Sequence, residues 1–349
     1  MVKSKNIFFK LTMFFVLIFI LLISALVYWA VGFSLPKYSK IKIISAKHIV
    51  HAKISNYIKV LSYNIAHGQG VKSLPTDWRG EKTTVLQLKK ISEVLCNADA
   101  DIVLLQEIDI DCNRTHHINQ VEFLINKSKY SYYACANVWE KNYIPFPVFP
   151  IKHHIGKVKS ANCIFSKFPI IDHERIIFDK PASNYFWYNW GYIDRGLQRV
   201  VIKVGRKKIN VINIHLEAWD IKARNKQMRL SLEIAEKLKG TIILGGDFNS
   251  LPNEASKKSG FIDEPEINFE KDNTINIVQN YFKKYSQAIN NENYLKNESL
   301  CLTFPSNNVS RKLDYIFAFN GAKFVSGKVL HDASTASDHL PILAIVKIK

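Results

Sequence analysis

The feature that most constrains this chain is a run of 25 residues, Leu11 to Leu35, without a charged side chain. A spanning helix needs about 20 apolar residues, whereas the apolar core of a cleaved signal sequence runs for about 7–15. The length favours an uncleaved transmembrane anchor, and the Tyr28–Trp29 pair suits a membrane–water interface. The expected organisation is a short basic tail (1–10), the anchor (11–35), a basic linker (36–57) and one large domain (58–349). Lys3, Lys5 and Lys10 precede the span and Lys37, Lys40, Lys42, Lys47 and Lys53 follow it, so the positive-inside count does not choose a side. The location at the extreme N-terminus favours an extracytoplasmic domain.

A chain of 349 residues can bury a substantial core, and 47% hydrophobic with 22% charged residues is a globular composition. The net charge of +18 is unevenly placed: residues 1–59 hold nine lysines and no acidic residue, leaving a net +9 beyond them. That balance fits attraction to an anionic substrate or membrane surface. It equally fits a lysine-rich composition, since only nine of the 48 basic residues are the arginines that planar phosphate recognition favours. Five cysteines (Cys96, Cys112, Cys135, Cys163, Cys301) show no CxxC spacing, which argues against structural zinc. Their odd number leaves room for one bridge in an oxidising compartment.

Beyond the linker, apolar runs alternate with helical patterns. Strands are expected at Ile58–Ile65, Asp101–Glu107, Val200–Val204, Ile209–His215, Thr241–Gly245, Leu313–Phe319 and Ile342–Ile348. Helices are expected at Glu81–Leu95, with Val85, Leu88, Ile91 and Leu95 on one face, and at Arg224–Lys239, stopped by Gly240. Hairpins and helical crossovers both occur, so the class is α/β with mixed pairing. Two aromatic segments, Tyr143–Ile155 and Ser183–Tyr192, read as long ordered loops, which commonly carry binding function.

The chemistry lies in how the strands end. The runs close on Asn64, Glu107, His215 and Asp247, with Asn249 just beyond, and Asp338–His339 stands just before the last strand. One polar residue at a strand end is usually a turn former. Five remote segments doing the same suggest one site outside the carboxyl ends of the strands. Asn64, Glu107, Asp247, Asn249 and Asp338 offer hard oxygen atoms of the class that suits Mg²⁺ or Mn²⁺. His215 and His339 would supply proton handling and phosphate contact. Nothing resembles a P-loop, GxSxG, GxGxxG or HExxH, so those chemistries have no support.

The segments LSYNIAHG (61–68), DIVLLQEID (101–109), NCIFSKFPI (162–170), NVINIHLE (210–217), ILGGDFNS (243–250), RKLDYIFAF (311–319) and SDHLPI (337–342) resemble, in order, the endonuclease/exonuclease/phosphatase superfamily, the deoxyribonuclease-I-like group. The resemblance implies a four-layer α/β/β/α sandwich of two mixed sheets. It implies metal-side ligands at Asn64 and Glu107, a metal or water ligand at Asp338, an Asp247 that orients or deprotonates the attacking water with Asn249 as its positioning partner, and His215 and His339 on the scissile phosphate. Asp314 would orient and charge His339. Arg195 and Arg199 are candidates for phosphate contact or for plain strand-edge charges.

The activity implied is divalent-metal-dependent hydrolysis of a phosphodiester, in a nucleic acid or a phospholipid headgroup. The anchor favours a lipid, and the Trp187/Trp190 loop would dip into an interface, stack on bases or pack locally. The basic excess favours a nuclease. A catalytically silent, membrane-tethered binding protein is the reading from another class.

Overall fold

The computed structural model describes residues 2–45, 52–72, 78–282 and 284–348. Lys47 and the rest of residues 46–51 of the expected linker lie outside them. In chain order the elements are α1 (Val2–Val31), β1 (Tyr38–Lys40), β2 (Ile44–Ser45), β3 (Tyr57–Asn64), α2 (Glu81–Ala98), β4 (Ile102–Asp109), α3 (Gln120–Asn126), β5 (Tyr132–Ile144), β6 (Gly156–Ser166) and β7 (Ile170–Ile177). They continue with α4 (Phe186–Gly191), β8 (Gly196–Val204), β9 (Lys207–His215), α5 (Ile221–Glu236), β10 (Ile242–Asp247), α6 (Thr274–Tyr281), β11 (Tyr285–Gln287), α7 (Asn291–Lys296), β12 (Asp314–Phe319), β13 (Lys323–Val329) and β14 (Ile342–Lys347).

The strands form two seven-stranded sheets, ordered β1-β7-β8-β9-β10-β12-β11 and β13-β14-β3-β4-β6-β5-β2. In each, one central pair is parallel (β9 with β10, β3 with β4) and joined across a helix, and the other pairs are antiparallel. Alternation of side chains lets each strand face two layers. Ile58, Val60, Ile102 and Leu104 meet Val200, Val211, Ile243 and Ile316 between the sheets. On one outer face Leu61, Val103 and Phe165 pack on Leu88, Ile91 and Leu95 of α2. On the other, Ile212, Leu244 and Phe317 pack on Met228 and Leu232 of α5. Each such buried side chain contributes about 1.5–3 kcal/mol. The result is the α/β/β/α sandwich.

A polar tie crosses the sheet interface. Gln106 donates to Asn213 Oδ1 at 2.7 Å, and Asn213 Nδ2 donates to the Leu105 carbonyl at 2.9 Å. Buried amide hydrogen bonds fix relative position in a way that apolar contacts do not.

The helix boundaries differ from the periodicity reading. α5 begins at Ile221, three residues early, because the Asp220 side chain accepts the Ala223 amide at 2.7 Å and caps it. It ends at Glu236, ahead of Gly240. The segment Ser183–Tyr192, read as a loop, contains the short helix α4, its aromatics stacked within the segment (Tyr185 on Trp187, rings 5.7 Å apart). Tyr143 and Ile144 close β5 rather than opening a loop. Cys135 and Cys163 face each other in register on β5 and β6 and form a disulfide.

Within α1, Ile7–Val31 is long and apolar enough to cross a membrane, and its side chains are exposed. The domain grips its end: Asn142 donates to the Trp29 carbonyl at 2.8 Å, and Lys141 Nζ to the Val31 and Phe33 carbonyls at 2.9 and 2.5 Å. A helix leaves its last carbonyls unsatisfied, and these two residues of β5 satisfy them.

Candidate active site

Strand direction gathers the polar strand ends. β9 and β10 are parallel with His215 opposite Asp247, and antiparallel β12 starts at Asp314, opposite Asp247 on its other side. His215, Asp247 and Asp314 therefore stand in a row at one rim. In the facing sheet β3 ends at Asn64 opposite Gln106, one residue before Glu107, and antiparallel β14 brings His339 to the same rim.

Three side chains converge on one oxygen, Asp247 Oδ2: Asn64 Nδ2 at 3.0 Å, His215 Nε2 at 3.5 Å and His339 Nε2 at 3.7 Å. Asp247 Oδ1 accepts the Asn249 amide at 2.9 Å, and Asn249 Nδ2 donates to the Leu216 carbonyl at 2.9 Å, which fixes its amide. Burial raises the Asp247 pKa to about 7, against the pull of His339. The two histidines diverge. Burial disfavours the charged form of His339, but Asp314, 2.9 Å from its Nδ1, and Asp247 outweigh this and raise it to about 10. Burial and then Arg195 push His215 well below its ordinary value. One imidazole is held charged and the other neutral, the separation of proton affinities that acid–base sites exploit.

Glu107 sits at a bulge. Pairing of β4 with β6 slips between Leu105 and Ile108, and Glu107 adopts φ 55°. Bulges re-aim side chains, commonly beside active sites. Glu107 Oε2 lies 2.9 Å from His67 Nε2, while Oε1 stands 3.7 Å from His215 Nε2 and 3.9 Å from Arg195. Burial would raise Glu107, but His67 and the other neighbours hold it well below the usual carboxylate range. Behind His67, Asp109 takes a bidentate pair from Arg114 at 2.9 Å. Ala66, His67, Glu107 and Asn249 all have positive φ between 46° and 55°. Non-glycine residues rarely hold that conformation, and such strain concentrates at functional sites.

The donor chemistry accommodates a hard divalent cation. Among the described residues Glu107 Oε1 has no hydrogen bond and Asn64 Oδ1 accepts only the Ala66 amide at 3.0 Å. Asp338 is half-buried, and its carboxyl is raised by burial and by Glu107 despite His339, a situation a cation relieves. Asp247, Asp314 and His339 also bring ligand atoms within 4.8 Å of one another. His339 there is paired to Asp314 and protonated, whereas a metal-bound imidazole must be neutral.

Arg199 is not at this rim: it lies buried within β8, bonded to Asp172 at 2.6 Å and Glu174 at 2.9 Å on the neighbouring β7, so it is neither a phosphate contact nor a strand-edge charge. Arg195 is buried beside His215, its Nη1 3.0 Å from Nδ1. Three residues at the site escaped the sequence reading. His67 is linked to Glu107 and Asp109, Arg114 secures Asp109, and Asn162 lines the cavity with His67, Glu107, Arg195 and His215. His67 follows Asn64 by three residues and Asp109 follows Glu107 by two, so adjacency to the strand-end residues was the available signal.

A model of the Endonuclease/Exonuclease/phosphatase family matches residues 61–339. An endonuclease/exonuclease/phosphatase from Beutenbergia cavernae superposes with a TM-score of 0.57 at 17% identity, over 84% of this chain and 72% of that one. One from Bacteroides vulgatus gives 0.56 at 16% identity, over 84% and 99%. D. rerio TDP2 complexed with single strand DNA product gives 0.54 at 15% identity, over 84% and 99%. At these identities the structural likeness concerns the fold. The sequence matches no curated protein.

Proposed function

The chain belongs to the endonuclease/exonuclease/phosphatase family, and on that premise we propose that it is a membrane-anchored phosphodiesterase that uses a divalent cation, Mg²⁺ or in its place Mn²⁺, and a bound water. The observation that carries this reading is the meeting of Asn64, His215 and His339 around Asp247 Oδ2, with Asn64 reaching Asp247 across 183 residues.

Asp247, its proton affinity raised by burial to about 7, takes the proton from the attacking water. Asn64 and Asn249 hold that carboxylate in place from its two oxygens. His339, charged through Asp314, donates to a non-bridging phosphate oxygen as negative charge grows there. His215, neutral, contacts the phosphate from the opposite side, with the Arg195 charge behind it. Glu107, Asn64 and Asp338 would hold the cation, which supplies Lewis-acid stabilisation of the phosphate when bound.

Membrane anchoring rests on the apolar helix Ile7–Val31. The Cys135–Cys163 disulfide supports an oxidising, extracytoplasmic setting for the domain. The substrate class is an anionic phosphoester. D. rerio TDP2 has been crystallised with a DNA product, and a lipid headgroup offers the same phosphodiester. Against a silent binding protein, every position that the resemblance assigns to catalysis carries a group able to perform its role.

The test is hydrolysis of bis-p-nitrophenyl phosphate by the full chain in detergent, with Mg²⁺ and with EDTA. Turnover that requires the cation and vanishes in Asp247→Asn is expected. Folded protein inert with every divalent cation tried would leave the silent binding protein.

A further inference from the structure

Outside the site, the largest unexplained feature is a rim of exposed aromatic and aliphatic side chains. Val148, Phe149 and Ile151 are 64–78% exposed, and Phe186, Trp187 and Trp190 are 46–72% exposed. Clusters of exposed large apolar side chains commonly mark a membrane or partner contact. The two segments approach each other at their bases: a Cβ placed on Gly191, the last residue of α4, would lie 3.8 Å from Ile144 Cγ2, where β5 ends and the first segment begins.

What covers this rim follows from its attachment. The strand that carries Phe149's segment is β5, and its Lys141 and Asn142 bond the carbonyls of Trp29, Val31 and Phe33 at the end of the apolar helix. Lys141 is only 3% exposed, so the junction is closed rather than a loose tether. If Ile7–Val31 crosses a bilayer, Trp29 marks the headgroup level, and β5 emerges there with the rim beside it. Aromatic side chains with an apolar body and a polar edge are the residues that settle at this depth.

The catalytic cleft opens within the same structure. Val138 and Trp139, just before the clamp residues on β5, and Ile193, Asp194 and Arg195, just after α4, line one cavity with Glu107 and His215. Asp194 is tied to Lys180 at 3.1 Å, and Lys180 holds the Asn189 carbonyl of α4 at 2.6 Å. The wall of the cleft and the rim are thus built on the same two segments. The geometry points to a bilayer-docking surface: the 146–151 and 186–190 segments rest in the leaflet where α1 ends, and the cleft takes the phosphodiester of a lipid headgroup from that leaflet. This rests on the anchored-phosphodiesterase reading.

Two readouts on the full chain reconstituted in phosphatidylcholine nanodiscs separate the inference from its premise. In the first, brominated acyl chains quench the tryptophan emission of the wild type. Trp187→Phe with Trp190→Phe is expected to lower the quenched component to that of Trp29. An unchanged quenched component overturns docking, whatever the enzyme activity. In the second, Phe149→Ser with Trp187→Ser is expected to cut hydrolysis of phospholipid in the protein's own nanodisc, made of phosphatidylcholine alone or doped in turn with sphingomyelin or phosphoinositides, by roughly tenfold or more, since interfacial binding scales with buried apolar area. Turnover of bis-p-nitrophenyl phosphate by that variant is expected to stay at the wild-type level. Cleavage of single-stranded DNA with no lipid of these nanodiscs hydrolysed overturns the substrate assignment. Loss of bis-p-nitrophenyl phosphate turnover in the wild type would instead sink the premise, with quenching still reporting on docking.

Discussion

Gly246 tests whether the spacing of two strands sets the catalytic geometry. Its φ is 140°, a conformation L-residues rarely adopt, and a Cβ there would overlap the Ile214 carbonyl oxygen and lie 2.9 Å from its carbon. Gly246 pairs with Ile214 in the parallel ladder, and the next pair along is Asp247 with His215. Gly246→Ala must therefore push β9 and β10 apart beside the Asp247–His215 contact of 3.5 Å. Relieving the overlap takes roughly 1 Å, and a displacement of that size costs about 10²-fold in turnover. The strained backbone itself costs about 1–3 kcal/mol of stability. Gly260→Ala is the control: φ is 66° and a Cβ would meet nothing within 4 Å. It carries backbone strain without collision, so it is expected to lose stability and keep kcat. The assay is kcat on bis-p-nitrophenyl phosphate, with thermal unfolding and circular dichroism to establish that each variant is folded. Folded Gly246→Ala with wild-type kcat would refute the claim that this close approach holds the site together.

His339→Ala and Asp247→Ala are each expected to lose at least ~10³-fold in kcat, the scale of removing one member of a coupled catalytic group, and turnover near the wild type in either variant would exclude its assigned role. Mg²⁺ at about 100 times its Kd is expected to stabilise the fold by about 2.7 kcal/mol; a thermal shift that persists in Glu107→Gln would mean that the cation binds elsewhere. His173, on β7 away from the site, gives an acid dependence: burial lowers its pKa from 6.5 to about 4. Above 6.5 neither state holds the proton, and between 6.5 and about 4 only the unfolded chain takes it up, so stability falls with pH through that window. The loss attributable to this residue is up to roughly 3 kcal/mol, and urea midpoints at pH 7 and pH 4.5 should converge in His173→Gln if the attribution holds.

Much of the architecture was legible because local patterns and global packing agree. The apolar runs at β3, β4, β9, β10 and β12 face core on both sides, so each appears as an almost continuous hydrophobic stretch. α2 and α5 are covered on one face and keep a helical period. The short helix α4 was not legible, since its aromatic residues are exposed and no apolar face repeats at helical spacing. Arg195 and Arg199 look alike in sequence, four residues apart in one extended segment. In the fold one meets His215 and the other meets Asp172 and Glu174. His67 had only its place three residues past Asn64 to mark it, because its partners Glu107 and Asp109 lie on β4, remote in the chain.

Sequence alone determined which chemical groups were on offer: oxygen ligands and two imidazoles beside apolar runs, together with a helix-length apolar segment. Tertiary structure decided which of these meet, which imidazole is charged, and which surface lies against the end of that helix. The reason is one of range. Propensity and periodicity act over a few residues, whereas Asn64 reaches Asp247 across 183 positions and Ser337 reaches the Asn64 carbonyl across 273. Proton affinities follow from that convergence, because burial and neighbouring charge exist only once the sheets have closed.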